Sequence, residues 1–213
     1  MPTTVTAHVR YRGLTSRDLA LVAVFAALIA ALSVTVAIPV PGLPVPITLQ
    51  TLGIMLAPSL LGWKRGSLAV ATFLALGLAG LPLFAGGRGG LAVLAGPSAG
   101  FIVSWIFAAL VIGLLTDLMV RRGRYRFWQG LLVNVLGGIV VIYAIGVPWM
   151  AVVLGDGVLA AAMSMVVFLP GDLVKAVLTA AIASAVFRAY PLPPAGRPVI
   201  DGGDTADTGG KSA

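Results

Sequence analysis

Charged side chains leave long stretches of this sequence untouched. None occurs at 19–63, 66–87, 89–116 or 127–155. Each run is long enough for a membrane-crossing helix, which needs roughly 20 mostly apolar residues. Of the 213 residues, 59% are hydrophobic and 10% charged, whereas a soluble domain carries about 25% charged residues. So few polar side chains cannot cover the outside of a soluble fold of this size. The expected class is an all-α integral membrane protein.

Proline, glycine and arginine divide the runs into six transmembrane helices. The first covers about 19–37 and opens at Thr15-Ser16-Arg17-Asp18, whose Thr and Asp spacing suits a capping box. It stops before the proline-dense stretch from Pro39 to Pro46, which no helix tolerates. The second and third, about 47–61 and 66–81, are short and meet at Gly62-Trp63-Lys64-Arg65. After a Gly-rich loop at 82–97 comes the fourth, about 98–120. The fifth, about 127–147, is expected to stop at Pro148, and the sixth covers about 172–190. Between them, residues 158–169 are apolar but short, which suits a re-entrant or interfacial segment better than a span. The membrane domain is thus 14–190, flanked by disordered tails at 1–13 and 191–213; the second is rich in Pro, Gly and Asp.

With six spans, Arg10, Arg12, Arg17, Lys64, Arg65, the four arginines of 121–126, Arg188 and Arg197 all fall on one side. The positive-inside rule makes that side cytoplasmic and places both termini there. The net charge of +7 is then a matter of topology and anionic lipid, and no nucleic acid partner is expected.

Glutamate and cysteine are absent, and the single histidine is His8. Disulfide scaffolds, thiol catalysis, haem ligation and Cys/His metal sites are excluded, so neither a catalytic nor a metal residue is assigned. The acids at membrane depth are Asp117 and Asp172, expected near opposite membrane edges and too far apart to share a substrate. No Walker A loop is present, so ATP-driven transport would need another subunit. An enzyme ranks third, after a binding protein and a stand-alone carrier driven by an ion gradient. Asp117 is the candidate coupling acid of that carrier, though a helix-end salt bridge to the nearby arginines explains it better.

Asp172 and Lys175, at i and i+3, share one helix face. Charges at membrane depth tend to face a protein interior and to be functional. Alternatively, Asp172 favours a helix N-terminus while Lys175 snorkels outward. Lysine in a first turn opposes the helix dipole, so a cavity that grips a ligand with both N–H and C=O groups is the sharper expectation. Thr48 and Gln50 follow the proline stretch, and Gly86, Gly87 and Arg88 lie in a loop where glycine lets backbone approach a ligand. Arg88 could draw a carboxylate, and Tyr143 could face the ligand or pack. Phe84 or Trp149 could cover apolar parts of a ligand. In the first helix, Ala23, Ala27 and Ala31 repeat every four residues, with Ala26 and Ala30 in a parallel register. Small residues at that spacing permit close helix approach in lipid, within the body or against a partner.

The blocks Pro44-Val45-Pro46-Ile47-Thr48-Leu49-Gln50-Thr51-Leu52-Gly53, Gly77-Leu78-Ala79-Gly80-Leu81-Pro82-Leu83-Phe84-Ala85-Gly86-Gly87, Gly96-Pro97-Ser98-Ala99-Gly100, Tyr143-Ala144-Ile145-Gly146-Val147-Pro148-Trp149 and Pro170-Gly171-Asp172-Leu173-Val174-Lys175-Ala176 occur in one order. Together they resemble the BioY family, the biotin-specific substrate-binding membrane subunit (S component) of energy-coupling factor transporters. Positions 98 and 99 are Ser-Ala where the family pattern has Thr-Gly. The resemblance implies six helices in the bacterial cytoplasmic membrane and biotin as transported ligand, with no cofactor. It implies as partners a membrane coupling T component and two ATPase subunits. It also implies Asp172 and Lys175 as binders of the ureido ring, with Thr48, Gln50, Gly86, Gly87 and Tyr143 around the ligand. The alanine face of the first helix would dock the partner. Another vitamin as ligand stays open.

Overall fold

The computed structural model describes residues 14–35, 37–42, 46–122 and 125–189. The expected tails, and Tyr190, lie outside them. Helix α1 (Ser16–Thr35) begins at the capping box: Thr15 N–H donates to Asp18 Oδ2 at 2.8 Å, and Asp18 N–H donates to Thr15 Oγ1 at 3.3 Å. The proline-rich connection then carries two short strands, β1 (Ala37–Ile38) and β2 (Ile47–Thr48), paired antiparallel with Ala37 opposite Thr48. Their paired residues avoid the prolines, which could not donate to the ladder.

Helix α2 (Gln50–Leu78) is broken at Gly62, whose φ of 76° and ψ of −176° leave the helical region. A straight helix would hold residues 58 and 66 about 12 Å apart. Here a Cβ on Gly66 would fall 2.3 Å from the Cα of Pro58. The arms on either side of Gly62 therefore fold back into a helical hairpin, and they correspond to the expected second and third segments. Helix α3 (Ala99–Arg121) follows a 3₁₀ turn at Leu91–Ala95 and matches its expected bounds closely.

Two expected helix ends are corrected. The chain is helical from Phe127 to Leu154 as α4 (Phe127–Val135), a π-helical stretch (Leu136–Val141) and α5 (Ile142–Leu154), with Pro148 inside α5. Packing outweighs the missing bond. A Cβ on Gly100 would lie 2.4 Å from Trp149 Cβ, and Trp149 Nε1 donates to the Gly96 carbonyl at 3.1 Å. The helix stops instead at Gly155, in the left-handed conformation. Likewise α6 (Val158–Met165), a 3₁₀ turn (Val166–Phe168) and α7 (Leu169–Ala189) form one uninterrupted helical run. Pro170 is the second residue of α7, one residue past the 3₁₀ turn, where its missing N–H is tolerated. Residues 158–169 are therefore the leading part of the last helix rather than a detached segment.

Four of these runs are long and apolar enough to cross a membrane: Ser16–Thr35, Ala99–Arg121, Phe127–Leu154 and Val158–Ala189. The basic segments gather at one end of the bundle. Arg65 Nε sits 2.7 Å from Asp18 Oδ1, joining the start of α1 to the turn of α2. Asp117, near the end of α3, accepts from Trp63 N–H at 3.5 Å, and Tyr125 stacks on Phe187 at 5.0 Å. At the opposite end, Ser33 Oγ near the close of α1 donates to the Leu83 carbonyl. Between the two ends, Phe73, Phe84 and Trp105 form an aromatic core with centroids 5.8–6.3 Å apart.

Candidate functional site

The end of the bundle away from the arginine clusters opens into a cavity with about 710 Å³ of empty space, its mouth included. Thr48, Gln50, Phe84, Arg88, Tyr143, Asp172 and Lys175 all line it, so seven of the nine expected ligand residues come together from distant parts of the chain.

Asp172 and Lys175 lie in the first turns of α7, yet each is only 7% exposed. The helical residues before Leu169 mean that no free helix N-terminus stabilises Asp172. Its carboxylate is held by side chains instead. Tyr143 Oη donates to Oδ2 at 2.7 Å and Lys175 Nζ to Oδ1 at 3.0 Å. Lys175 Nζ also donates to Thr51 Oγ1 at 2.9 Å. Lys175 is thus turned inward and does not snorkel. A carboxylate has about four acceptor positions and an ammonium three donors. The trio consequently retains two acceptor positions on Asp172 and one N–H on Lys175, enough for a ligand presenting both N–H and C=O.

Phe84 enters the wall from a tight loop. Its N–H donates to the Arg88 carbonyl at 2.9 Å and Arg88 N–H returns a bond at 3.2 Å. Gly86 and Gly87, both at positive φ, make the turn between them. The ring is 2% exposed and fills a hollow beside Gly77, where a Cβ would meet Phe84 Cζ at 2.5 Å. The two turn glycines are exposed and do not line the cavity. Their place is to aim Phe84 inward and Arg88 at the rim, where Arg88 Nε donates to the Ala85 carbonyl at 3.1 Å. Trp149 is also outside the lining: it ties α5 to Gly96.

Several wall residues were not singled out from the sequence, among them Thr51, Ser98, Phe101 and Trp105. Ser98, Phe101 and Trp105 stand at i, i+3 and i+7 on α3, a helical face that spacing alone could have suggested. Gln50 Nε2, Ser98 Oγ and Trp105 Nε1 are buried and find no hydrogen-bond partner among the described residues. Buried donors left unpaired are costly, so a ligand that supplies acceptors suits this wall.

The alanines of α1 separate into two faces. Ala23, Ala27 and Ala31 are exposed, while Ala26 is 3% exposed and Ala30 packs against the core. Gly137 and Gly138 of the π-helical stretch are packing positions, against Ile112 and Met55; Gly138 also borders the cavity. Asp117 sits far from Asp172, at the basic end, where it meets Gly62 and Trp63. There it receives the first amide of the second α2 arm, a structural place for a carboxylate. No group of three or more potential metal ligands occurs among the described residues.

A model of the BioY family matches residues 3–192. A Rhizobium etli protein named "Biotin transporter BioY" is 46% identical over 185 residues, 85% of this chain and 99% of that protein. The protein of the same name from Rhodobacter capsulatus is 44% identical over 184 residues, covering 82% of this chain and 95% of its own length. Among solved structures, the S-component for biotin from an ECF-type ABC transporter superposes with a TM-score of 0.78 at 34% identity. The match covers 83% of this chain and 95% of that one.

Proposed function

The chain belongs to the BioY family, and from that premise we propose that it captures biotin in this cavity as the S component of an energy-coupling factor transporter. It is a transport protein and not an enzyme. The observation that carries the proposal is the buried trio of Asp172, Lys175 and Tyr143 on the cavity wall. The ureido ring of biotin offers two N–H groups and a carbonyl, which the free acceptor positions of Asp172 and the spare N–H of Lys175 complement. Phe84, Phe101 and Trp105 supply apolar walls for the bicyclic ring. Thr48, Gln50 and Arg88 lie around it, and Gly86 and Gly87 shape the loop above.

The bundle crosses the bacterial cytoplasmic membrane six times, counting the two arms of α2 separately, with both termini cytoplasmic. In support, every described basic segment except the Arg88 loop and Lys175 gathers at the end remote from the cavity. The domain comprises 14–190. A membrane T component and two ATPase subunits supply the energy. The exposed Ala23, Ala27 and Ala31 provide the face on which the T component docks, with Ala26 and Ala30 seating α1 on the body.

Labelled biotin titrated into the purified chain tests the proposal. Saturable binding that excess riboflavin or thiamine does not displace is expected; its absence would overturn biotin as the ligand. Uptake in a host stripped of every coupling ATPase separates this from an ion-driven carrier, which alone would still transport.

A further inference from the structure

At the basic end, remote from the cavity, the consecutive helices α3 and α4 part into an open groove. Leu115, Met119 and Arg122 stand along one face of α3 at i, i+4 and i+7, and Arg126, Gln129 and Val133 line the facing side of α4 at i, i+3 and i+7. The groove encloses about 1070 Å³ of empty space, its open side included. It is amphipathic along its length. Arg122 and Arg126 are exposed and mark its outer end. Leu115 and Val133 lie seven residues further in, about 10 Å along each helix. Trp128, 74% exposed beside the outer end, marks the level at which aromatic side chains meet lipid headgroups.

No carboxylate among the described residues answers the two guanidinium groups. Asp18 and Asp117 are the described acids at this end; Asp18 pairs with Arg65, and Asp117 accepts from Trp63 N–H. Neither Arg122 nor Arg126 forms a salt bridge with a described residue. Arginine bonds phosphate oxygens in a fixed, forked geometry, so a pair of them at one groove mouth suits a phosphodiester. A soluble anion would leave the inner, apolar half of the groove unfilled. An amphiphile fills both halves, with its phosphate outside and an acyl chain beside Leu115 and Val133.

We infer that this groove is a binding site for an anionic phospholipid, whose phosphate sits between Arg122 and Arg126 and whose acyl chain lies along α3 and α4. No residue of α1 lines the groove, and none is shared with the cavity. The site is therefore independent of what the cavity binds, and its occupation leaves the exposed alanine face of α1 open.

Native mass spectrometry of the delipidated full-length chain counts bound molecules directly. Dioleoyl phosphatidylglycerol, dioleoyl phosphatidylcholine and inorganic phosphate are each titrated into the parent and two double variants. Arg122→Gln with Arg126→Gln empties the groove mouth of charge, while Lys64→Gln with Arg188→Gln removes as much charge elsewhere at the same end. The parent should bind phosphatidylglycerol at least about tenfold more tightly than phosphatidylcholine. The groove variant should lose that preference, and the charge-matched variant should keep it within about threefold. Parental helical circular dichroism shows that both are folded. No preference in the parent, an undiminished one in the groove variant, or equal losses in both variants would overturn the site. Three further results would overturn the lipid as occupant. Displacement of phosphatidylglycerol by inorganic phosphate would assign the groove to a soluble anion. Tighter lipid binding after Asp201→Asn, Asp204→Asn and Asp207→Asn together would assign it to the chain's own acidic tail. A dimer that the groove variant alone loses would assign it to a second copy.

Discussion

Asp172 and Lys175 share their charges with each other and with neutral partners before any ligand arrives. Desolvated and bonded on both oxygens, the carboxylate cannot reorient freely, so the trio presents its remaining positions in a fixed geometry. Two substitutions test its polarity. Asp172→Asn keeps the shape but removes the charge, and Lys175→Ala removes the donor; each is expected to weaken biotin binding at least about tenfold, about 1.4 kcal/mol. Tyr143→Phe removes only the bond that orients the carboxylate, and a loss of about threefold is expected, as for one neutral hydrogen bond. Equilibrium titration of the purified variants checks all three. Parental affinity in Asp172→Asn would remove the acid from the ligand site.

Among elements, the α2 hairpin depends most on missing side chains. Gly62 adopts a φ that other residues rarely accept, and Gly66 lies against the Pro58 backbone, which cannot yield as a flexible side chain would. Gly66→Val is expected to destabilise the chain by about 1–3 kcal/mol through overpacking. Gly157→Ala, at an open position with negative φ, should leave the melting temperature unchanged. Melts of the two purified variants make the comparison, and equal stability would contradict the hairpin contact. The reversal was legible because glycine followed by Trp63-Lys64-Arg65 interrupts an apolar run. Pro148 and Pro170 misled for the opposite reason. A proline in a helix interior costs about 3 kcal/mol, yet contacts of Trp149 around Pro148 and the 3₁₀ turn before Pro170 absorb it, and neither is visible from local sequence. The strand pair escaped notice because two residues have no period. In the site, Asp172 and Lys175 stood out as rare charges at depth, whereas Thr51 and Trp105 resemble many helix residues until neighbouring helices show which way they face.

At the scale of the whole molecule, the natural chain lacks cysteine, so single introduced thiols report orientation without background. Gly157→Cys should react with a membrane-impermeant maleimide on intact cells, and Arg122→Cys only after the membrane is opened. The reverse pattern would invert the proposed topology. For assembly, Ala27→Leu and Ala31→Leu should cut co-purification with the T component about tenfold or more and leave biotin affinity at the parental value. Ala26→Leu should instead lower the stability of the isolated chain, because Ala26 is buried in its core. Undiminished co-purification of the first two would dissociate the exposed alanine face from docking. Helix α1 is the least buried of the four long apolar runs, and none of its residues borders the cavity. On the proposed assignment, cargo preference and the handshake with a motor rest on separate letters of the sequence, so evolution can rewrite either one without proofreading the other.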